Sequence, residues 1–281
     1  MGDDFEFFFN NLYIGWLEVF SMNLGLHHKK VIVTGAANGI GAAVFNALLR
    51  EGAVPIGIDL EPFHDSELEK IIFPYNLEEF EGAYFFHQSD ATNYSEMEKV
   101  LSPYNDLYGL VNNIGLLGND SAHGGRSVES WNKVMNANAT SAFILTELSY
   151  PKMQAGSSIV NIGSIELDMA APDVVLYTAS KGALLGLTVS YSTTLAPNIR
   201  VNMVSPGNVN TERNKAQYTE ARSVIDSFEG RTPLKRSVEP QEVADLVMFL
   251  LSEKSGAITG QNYRIDGGYT RALWDPSWNI K

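Results

Sequence analysis

From Lys30 onward the chain alternates short, strongly apolar runs with longer stretches whose apolar side chains recur at helical spacing. The apolar runs fall at 31–33, 54–58, 84–86, 110–111, 158–162, 201–204 and 263–265. Most lack the apolar–polar alternation of a half-exposed strand, so they read as parallel strands buried on both faces. Helical patterns lie between them at 40–50, 95–101, 128–150, 177–195 and 240–251. This β-α-β order predicts an α/β fold, a doubly wound parallel sheet with helices on both faces, three layers deep. Right-handed crossovers then put ligands at the carboxyl ends of the strands. With no internal repeat and no Gly/Ser/Pro-rich linker, residues 29–270 read as one domain. They are flanked by an extension at 1–28 and a tail at 271–281.

The extension breaks the pattern. Phe5, Phe7, Phe8, Phe9, Leu12, Trp16 and Phe20 make it apolar, but Asp3, Asp4, Glu6, Asn10 and Glu18 interrupt it. No run approaches the ~20 apolar residues of a membrane span. Without Lys or Arg before Lys29, it resembles neither a secretory signal nor a transit peptide, and cytoplasmic residence is the expectation. Met22 is the expected natural start, a reading that an intact Met1 or Gly2 in the native protein would overturn.

Composition narrows the chemistry. Among 281 residues, 20 Lys and Arg face 33 Asp and Glu, a net charge of −13, and there is no cysteine. Thiol nucleophiles, disulfides and thiolate metal sites are thereby excluded. So acidic a chain lacks the clustered cations that nucleic acid requires, which leaves a small molecule as the expected partner. There is no HExxH and no Gly-x-Ser-x-Gly elbow, so neither a metal site nor a serine hydrolase is expected.

Two local patterns carry chemistry. The first is Thr34-Gly35-Ala36-Ala37-Asn38-Gly39-Ile40-Gly41, which leads from the first strand straight into a helix. Glycines there permit a tight turn, close approach of backbone N–H groups to a pyrophosphate, and a helix N-terminus aimed at negative charge. The candidate cofactor contacts are Gly35, Asn38, Gly39, Ile40 and Gly41. Asp59 ends the second strand about 20 residues on, where a carboxylate accepts hydrogen bonds from the adenosine ribose hydroxyls and repels a 2′-phosphate. NAD is therefore expected over NADP; a glycine turn without a ligand is the alternative. The second pattern is Tyr177-Thr178-Ala179-Ser180-Lys181, preceded by Asn161-Ile162-Gly163-Ser164. Positions i and i+4 share a helix face, so the Tyr177 phenol and the Lys181 ammonium point to one place. A nearby cation favours phenolate, and the expectation is a phenol lowered toward working pH.

Together these motifs, in this order, resemble the short-chain dehydrogenase/reductase family, over about residues 29–270. Thr34, Gly35, Gly39 and Gly41 are similar to its TGxxxGxG turn, and Asp90-Ala91 to its adenine-binding pair. Asn112-Asn113-Ile114-Gly115 resembles NNAG, with Ile114 in place of the usual Ala. Tyr177 and Lys181 match YxxxK, Ser164 the upstream catalytic serine, and Asn138 the asparagine of the catalytic tetrad. Ser205-Pro206-Gly207, with Val209 and Thr211, resembles the PG loop, and Asp266-Gly267-Gly268 the terminal strand's ending. The resemblance implies a Rossmann-fold oxidoreductase that interconverts a secondary alcohol and a ketone with NAD. In it Tyr177 transfers the proton, Lys181 lowers its pKa and binds the nicotinamide ribose, Ser164 orients the substrate oxygen, and Asn138 holds a water. Asp90, Ala91, Asn113, Gly115, Pro206, Gly207, Val209 and Thr211 would complete the cofactor site, Thr211 at the carboxamide. An NAD-using isomerase, epimerase or dehydratase of the same fold, or a non-catalytic NAD sensor, are the rival readings.

Substrate contacts are expected from loops 116–126, 165–175 and 208–236. Glu166 is the polar residue placed most readily in the pocket beside Ser164 and Tyr177, against a solvated loop carboxylate. Arg126 and Arg213 read either as anion-binding groups or as surface charges, and His123 as a loop histidine. The segment 208–236 reads as a lid. The tail's Trp274 and Trp278 read as packing on this subunit or a neighbour. The resemblance further implies a homo-oligomer, dimer or tetramer, formed through the helices at 128–150 and 177–195, where Ala179, Gly182, Ala183 and Gly186 permit close approach.

Overall fold

Seven strands line up parallel to one another in a single sheet of order β3-β2-β1-β4-β5-β6-β7. They are β1 (Lys30–Thr34), β2 (Val54–Asp59), β3 (Phe85–Gln88), β4 (Leu107–Asn112), β5 (Met153–Ile162), β6 (Ile199–Pro206) and β7 (Asn262–Ile265). The computed structural model describes residues 24–63, 84–116, 120–212, 214 and 228–272. Met22, Arg213, Trp274 and Trp278 lie outside the described residues, as does the central part of the expected lid. Among the described residues, no helix is long and apolar enough to cross a membrane.

Alternate side chains of each strand enter opposite core layers, and for this reason the sequence shows unbroken apolar runs. Val31 and Val33 join Val111, Val160 and Val204 on one face, against α1 (Gly39–Arg50) and α6 (Pro240–Leu251). Ile32 joins Ile56, Ile58, Leu110 and Ile159 on the other, against α2 (Tyr94–Leu101) and α4 (Ser141–Ser149). At the edge, β3 departs from the expectation of full burial: Phe85 is exposed, while Phe86 packs on Phe45 and Phe63.

The pattern at 128–150 predicts one helix, and the structure breaks it. α3 (Val128–Met135) passes through a π turn at Asn136–Thr140 before α4 resumes. A single wide turn inside a helix shifts the faces on either side, and such turns concentrate at functional sites. The buried Asn138 sits within it. α5 (Val175–Thr194) follows β5, and the sheet's order reverses between β1 and β4, the point at whose carboxyl ends sheets of this kind bind ligands.

Candidate active site

The glycine turn is clamped from both sides. Gly35 N–H donates to Ile58 O of β2 at 2.8 Å, and the Asn113 amide Nδ2 donates to Thr34 O at 3.0 Å and Gly35 O at 3.1 Å. Thr34 Oγ1 accepts from the N–H groups of Asn113 and Ile114. Gly35 and Gly39 hold φ of +64° and +58°, in the region that favours glycine, and a Cβ on Gly41 would lie 1.9 Å from Gly35 O. The first amides of α1 are left open, because Asn38 is extended (φ −144°), its side chain makes no cap bond, and the first turn holds no acidic residue. Uncapped amides beside a side-chain-free cradle fit a pyrophosphate. Asp59 leans over the turn, its Oδ2 accepting from Ala37 N–H at 2.9 Å and its Oδ1 from Glu61 N–H at 3.0 Å.

The other expected cofactor residues follow the ends of β3, β4 and β6. Thr211 lies across the turn, its methyl 3.2 Å from where a Cβ of Gly39 would stand. Gly207 and buried Val209 lead to it from the end of β6 at Pro206. A Cβ on Gly115 would lie 3.5 Å from Lys181 Nζ. Asp90 follows β3 and closes its own turn, Oδ1 accepting from Thr92 N–H and Oγ1, with Ala91 buried behind it.

Ser164 lies two residues beyond the end of β5 and Tyr177 sits in the first turn of α5, with Lys181 one turn further on. All three are buried. Lys181 Nζ donates to Ile162 O at 2.7 Å and stands 5.7 Å from the Tyr177 ring centroid. The Asn138 side chain bonds Leu116 on both sides, Oδ1 accepting from its N–H at 2.6 Å, and Nδ2 also donates to Ser180 Oγ at 2.9 Å. One expectation needs correction: the phenol is not lowered. Burial pushes Tyr177 up to about 12, the Ser164 hydroxyl pulls it down, and the Glu166 charge raises it further. Burial likewise lowers Lys181 to about 8. Burial dominates at both groups, which leave water together.

The loop residues separate into two groups. Glu166 belongs with Ser164: its N–H donates to Ser164 Oγ at 3.2 Å, and its Oε2 accepts from Ala171 N–H at 2.7 Å. Burial raises its carboxyl above the ordinary range. Asp168 is tied instead to Arg264 of β7, and Arg236 to Glu242 of α6. Arg126 is engaged by Asp120 and Asp173. The side chain of His123 lies outside the described residues. Sequence reading missed Asp120 and Ser180, since a lone Asp in a loop and a Ser within YxxxK carry no spacing signal.

An open helix N-terminus and a buried Ser, Tyr and Lys are thus both present, and known proteins resemble the chain throughout this region. A family model described as enoyl-(acyl carrier protein) reductase matches residues 35–270. The 3-oxoacyl-[acyl-carrier-protein] reductase of Thermotoga maritima is 35% identical over 253 residues, 86% of this chain and 98% of that protein. The D-xylose 1-dehydrogenase of Caulobacter vibrioides is 32% identical over 252 residues, 87% and 96% of the two chains. Among solved structures, ligand-free aldohexose dehydrogenase of Thermoplasma acidophilum superposes with a TM-score of 0.77 at 28% identity, covering 90% of this chain and 98% of that one. The chain belongs to the short-chain dehydrogenase/reductase family, whose members are oxidoreductases using NAD(P).

Proposed function

We propose that this protein is an NAD(H)-dependent dehydrogenase that interconverts a secondary alcohol and a ketone on a small or medium metabolite. The observation that carries the reading is the buried Tyr177, in range of the Ser164 hydroxyl and on the same helix face as Lys181. Bound in that turn, NAD supplies the hydride acceptor, and NADH the donor. Ser164 holds the substrate oxygen, Tyr177 gives or takes its proton, and Lys181 and Asn138 link the phenol to the surroundings. Glu166, close enough for its charge to act on Tyr177, adds an acceptor for a second polar group of the substrate. Gly35, Asn38, Gly39, Ile40 and Gly41 take the pyrophosphate, Asp59 the adenosine ribose, Asp90 and Ala91 the adenine side. Asn113, Gly115, Pro206, Gly207, Val209 and Thr211 line the nicotinamide side.

The test is NADH absorbance after mixing protein and NAD with a panel that includes cyclopentanol, D-xylose and D-galactose. Turnover of no secondary alcohol in either direction would overturn the reading. Cofactor choice follows from charge: Asp59 ends β2 beside the glycine turn, and no Lys or Arg follows it before Lys70 to receive a 2′-phosphate. NAD is expected to be preferred over NADP by about tenfold or more, a preference of at least ~1.4 kcal/mol. Asp59→Ala should relax it chiefly by raising kcat/KM with NADP. A wild-type enzyme that prefers NADP removes this role from Asp59.

We also propose a homo-oligomer, dimer or tetramer, joined through α4 and α5. Phe143 and Val189 are 47% and 51% exposed there, and a Cβ added at Gly182 or Gly186 would meet nothing within 4 Å. Such an apolar face with room for a close neighbour favours a second copy. Light scattering should give at least twice the 30.9 kDa chain mass, and a monomer mass at micromolar concentration would end the proposal.

A further inference from the structure

We propose that Asp120 is a positioning residue for the reaction, capping α5 from a separate loop and thereby fixing the Tyr177 phenol. The proposal rests on the reading of Tyr177 as the proton-transfer group. α5 starts at Val175, and its own N-cap residue, Val174, makes no side-chain cap bond. The missing acceptor comes from 56 residues away in the chain: Leu176 N–H donates to Asp120 Oδ1 at 3.2 Å. That amide immediately precedes Tyr177.

Asp120 is itself held at every polar group. It is 3% exposed, its Oδ2 accepts from Arg126 Nε at 2.6 Å, its N–H donates to Asp173 O at 2.6 Å, and its carbonyl accepts from Gly125 N–H at 2.8 Å. Arg126 continues to Asp173 Oδ1 at 2.5 Å, so three charged side chains knit residues 120–126 to the turn before α5. Asp173 has φ of +60°, a conformation that persists where the surroundings over-determine it. The two ion pairs differ in weight. Arg126–Asp173 has side chains 54% and 67% exposed, and water screens it; in Arg126–Asp120 the carboxylate side chain is 5% exposed. The effect is therefore assigned to Asp120, with Arg126 serving to neutralise it. Burial raises the Asp120 carboxyl, but the Arg126 hydrogen bond and the amides of Leu176 and Val175 outweigh this and keep it ionised. A frayed first turn would leave the α5 core packing intact and displace the phenol, and a misplacement near 1 Å costs about 100-fold in rate.

The experiment compares Asp120→Ala, Asp120→Asn and Tyr177→Phe in the full chain, using the faster of cyclopentanol and D-xylose. In Asp120→Ala, kcat should fall by about 10- to 100-fold. NADH affinity should not change, and the solvent deuterium isotope effect on kcat should rise as proton transfer becomes limiting. Asp120→Asn keeps an acceptor for Leu176 N–H and should restore most of kcat and the smaller isotope effect. Hydrogen exchange of the peptide spanning 173–178, measured without substrate, should speed up in Asp120→Ala and much less in Asp120→Asn. Wild-type kcat and isotope effect in Asp120→Ala, with only the melting temperature lowered, would make Asp120 a stability residue and overturn the proposal, as would unchanged exchange. Tyr177→Phe separates the two readings: full activity there sinks the role of Tyr177, whereas its loss beside wild-type Asp120→Ala kinetics sinks the clamp alone.

Discussion

Tyr177→Phe is expected to lose turnover by roughly a thousandfold, the middle of the range one acid–base group contributes, while binding NADH as the wild type does. The substitution keeps the ring that α5 buries and removes only the oxygen that faces Ser164. Melting temperature should hold within a few degrees, so lost activity will not reflect lost fold. On the proposed role of Tyr177, the same oxygen sets the pH dependence. Burial holds the free site's phenol up to about 12, so at neutral pH Tyr177 is protonated and poised as an acid. A raised pKa means that the folded protein favours the proton: ketone reduction is supplied at and below neutral pH, and alcohol oxidation, which needs phenolate, climbs as pH rises. Lys181, lowered to about 8, keeps its charge below that value and loses it above. Rate profiles in both directions check this. Oxidation that falls with pH through the alkaline range, or a Tyr177→Phe variant retaining a tenth of wild-type turnover, would contradict the assignment.

Gly41→Ala is expected to abolish cofactor binding that can be detected by NADH fluorescence titration, at least a 100-fold loss of affinity. The added Cβ would lie 1.9 Å from Gly35 O and 2.6 Å from Asn113 Nδ2. Real Cβ contacts do not reach such distances, so the α1 N-terminus or the turn has to move. The turn cannot yield easily, being hydrogen-bonded to β2 through Ile58 and to the end of β4 through Asn113. Overpacking of this kind costs about 1–3 kcal/mol, and more where backbone faces backbone. The melting temperature should drop with it. Wild-type affinity in this variant would mean that the turn does not cradle the pyrophosphate.

Most of the sheet was legible because its strands are buried on both faces, which writes them as unbroken apolar runs. The first half of β5 was not, since residues 154–156 are exposed and carry no apolar signal. The break in the helix at 128–150 also escaped the sequence. A π turn is a choice of hydrogen-bond partner, and Asn136-Ala137-Asn138-Ala139-Thr140 satisfies helical spacing either way. In the site, motif positions such as Gly35, Tyr177 and Lys181 could be read from spacing. The state of the phenol could not, because desolvation depends on how completely α5 and the loops enclose Tyr177. Arg126 shows the same limit: as a loop arginine it suggested an anion site or a surface charge, and only the fold brings Asp120 and Asp173 to it.

The reversal of strand order between β1 and β4 also divides the labour of the molecule. Asp59 ends β2 and Ser164 follows β5, three strand spacings apart in the sheet, or about 14 Å. Sites so far apart, sharing no partner, respond independently to substitution. On the proposed roles of Asp59 and Ser164, the choice of dinucleotide and the choice of alcohol can therefore change separately, and one scaffold can be retuned for either without disturbing the other.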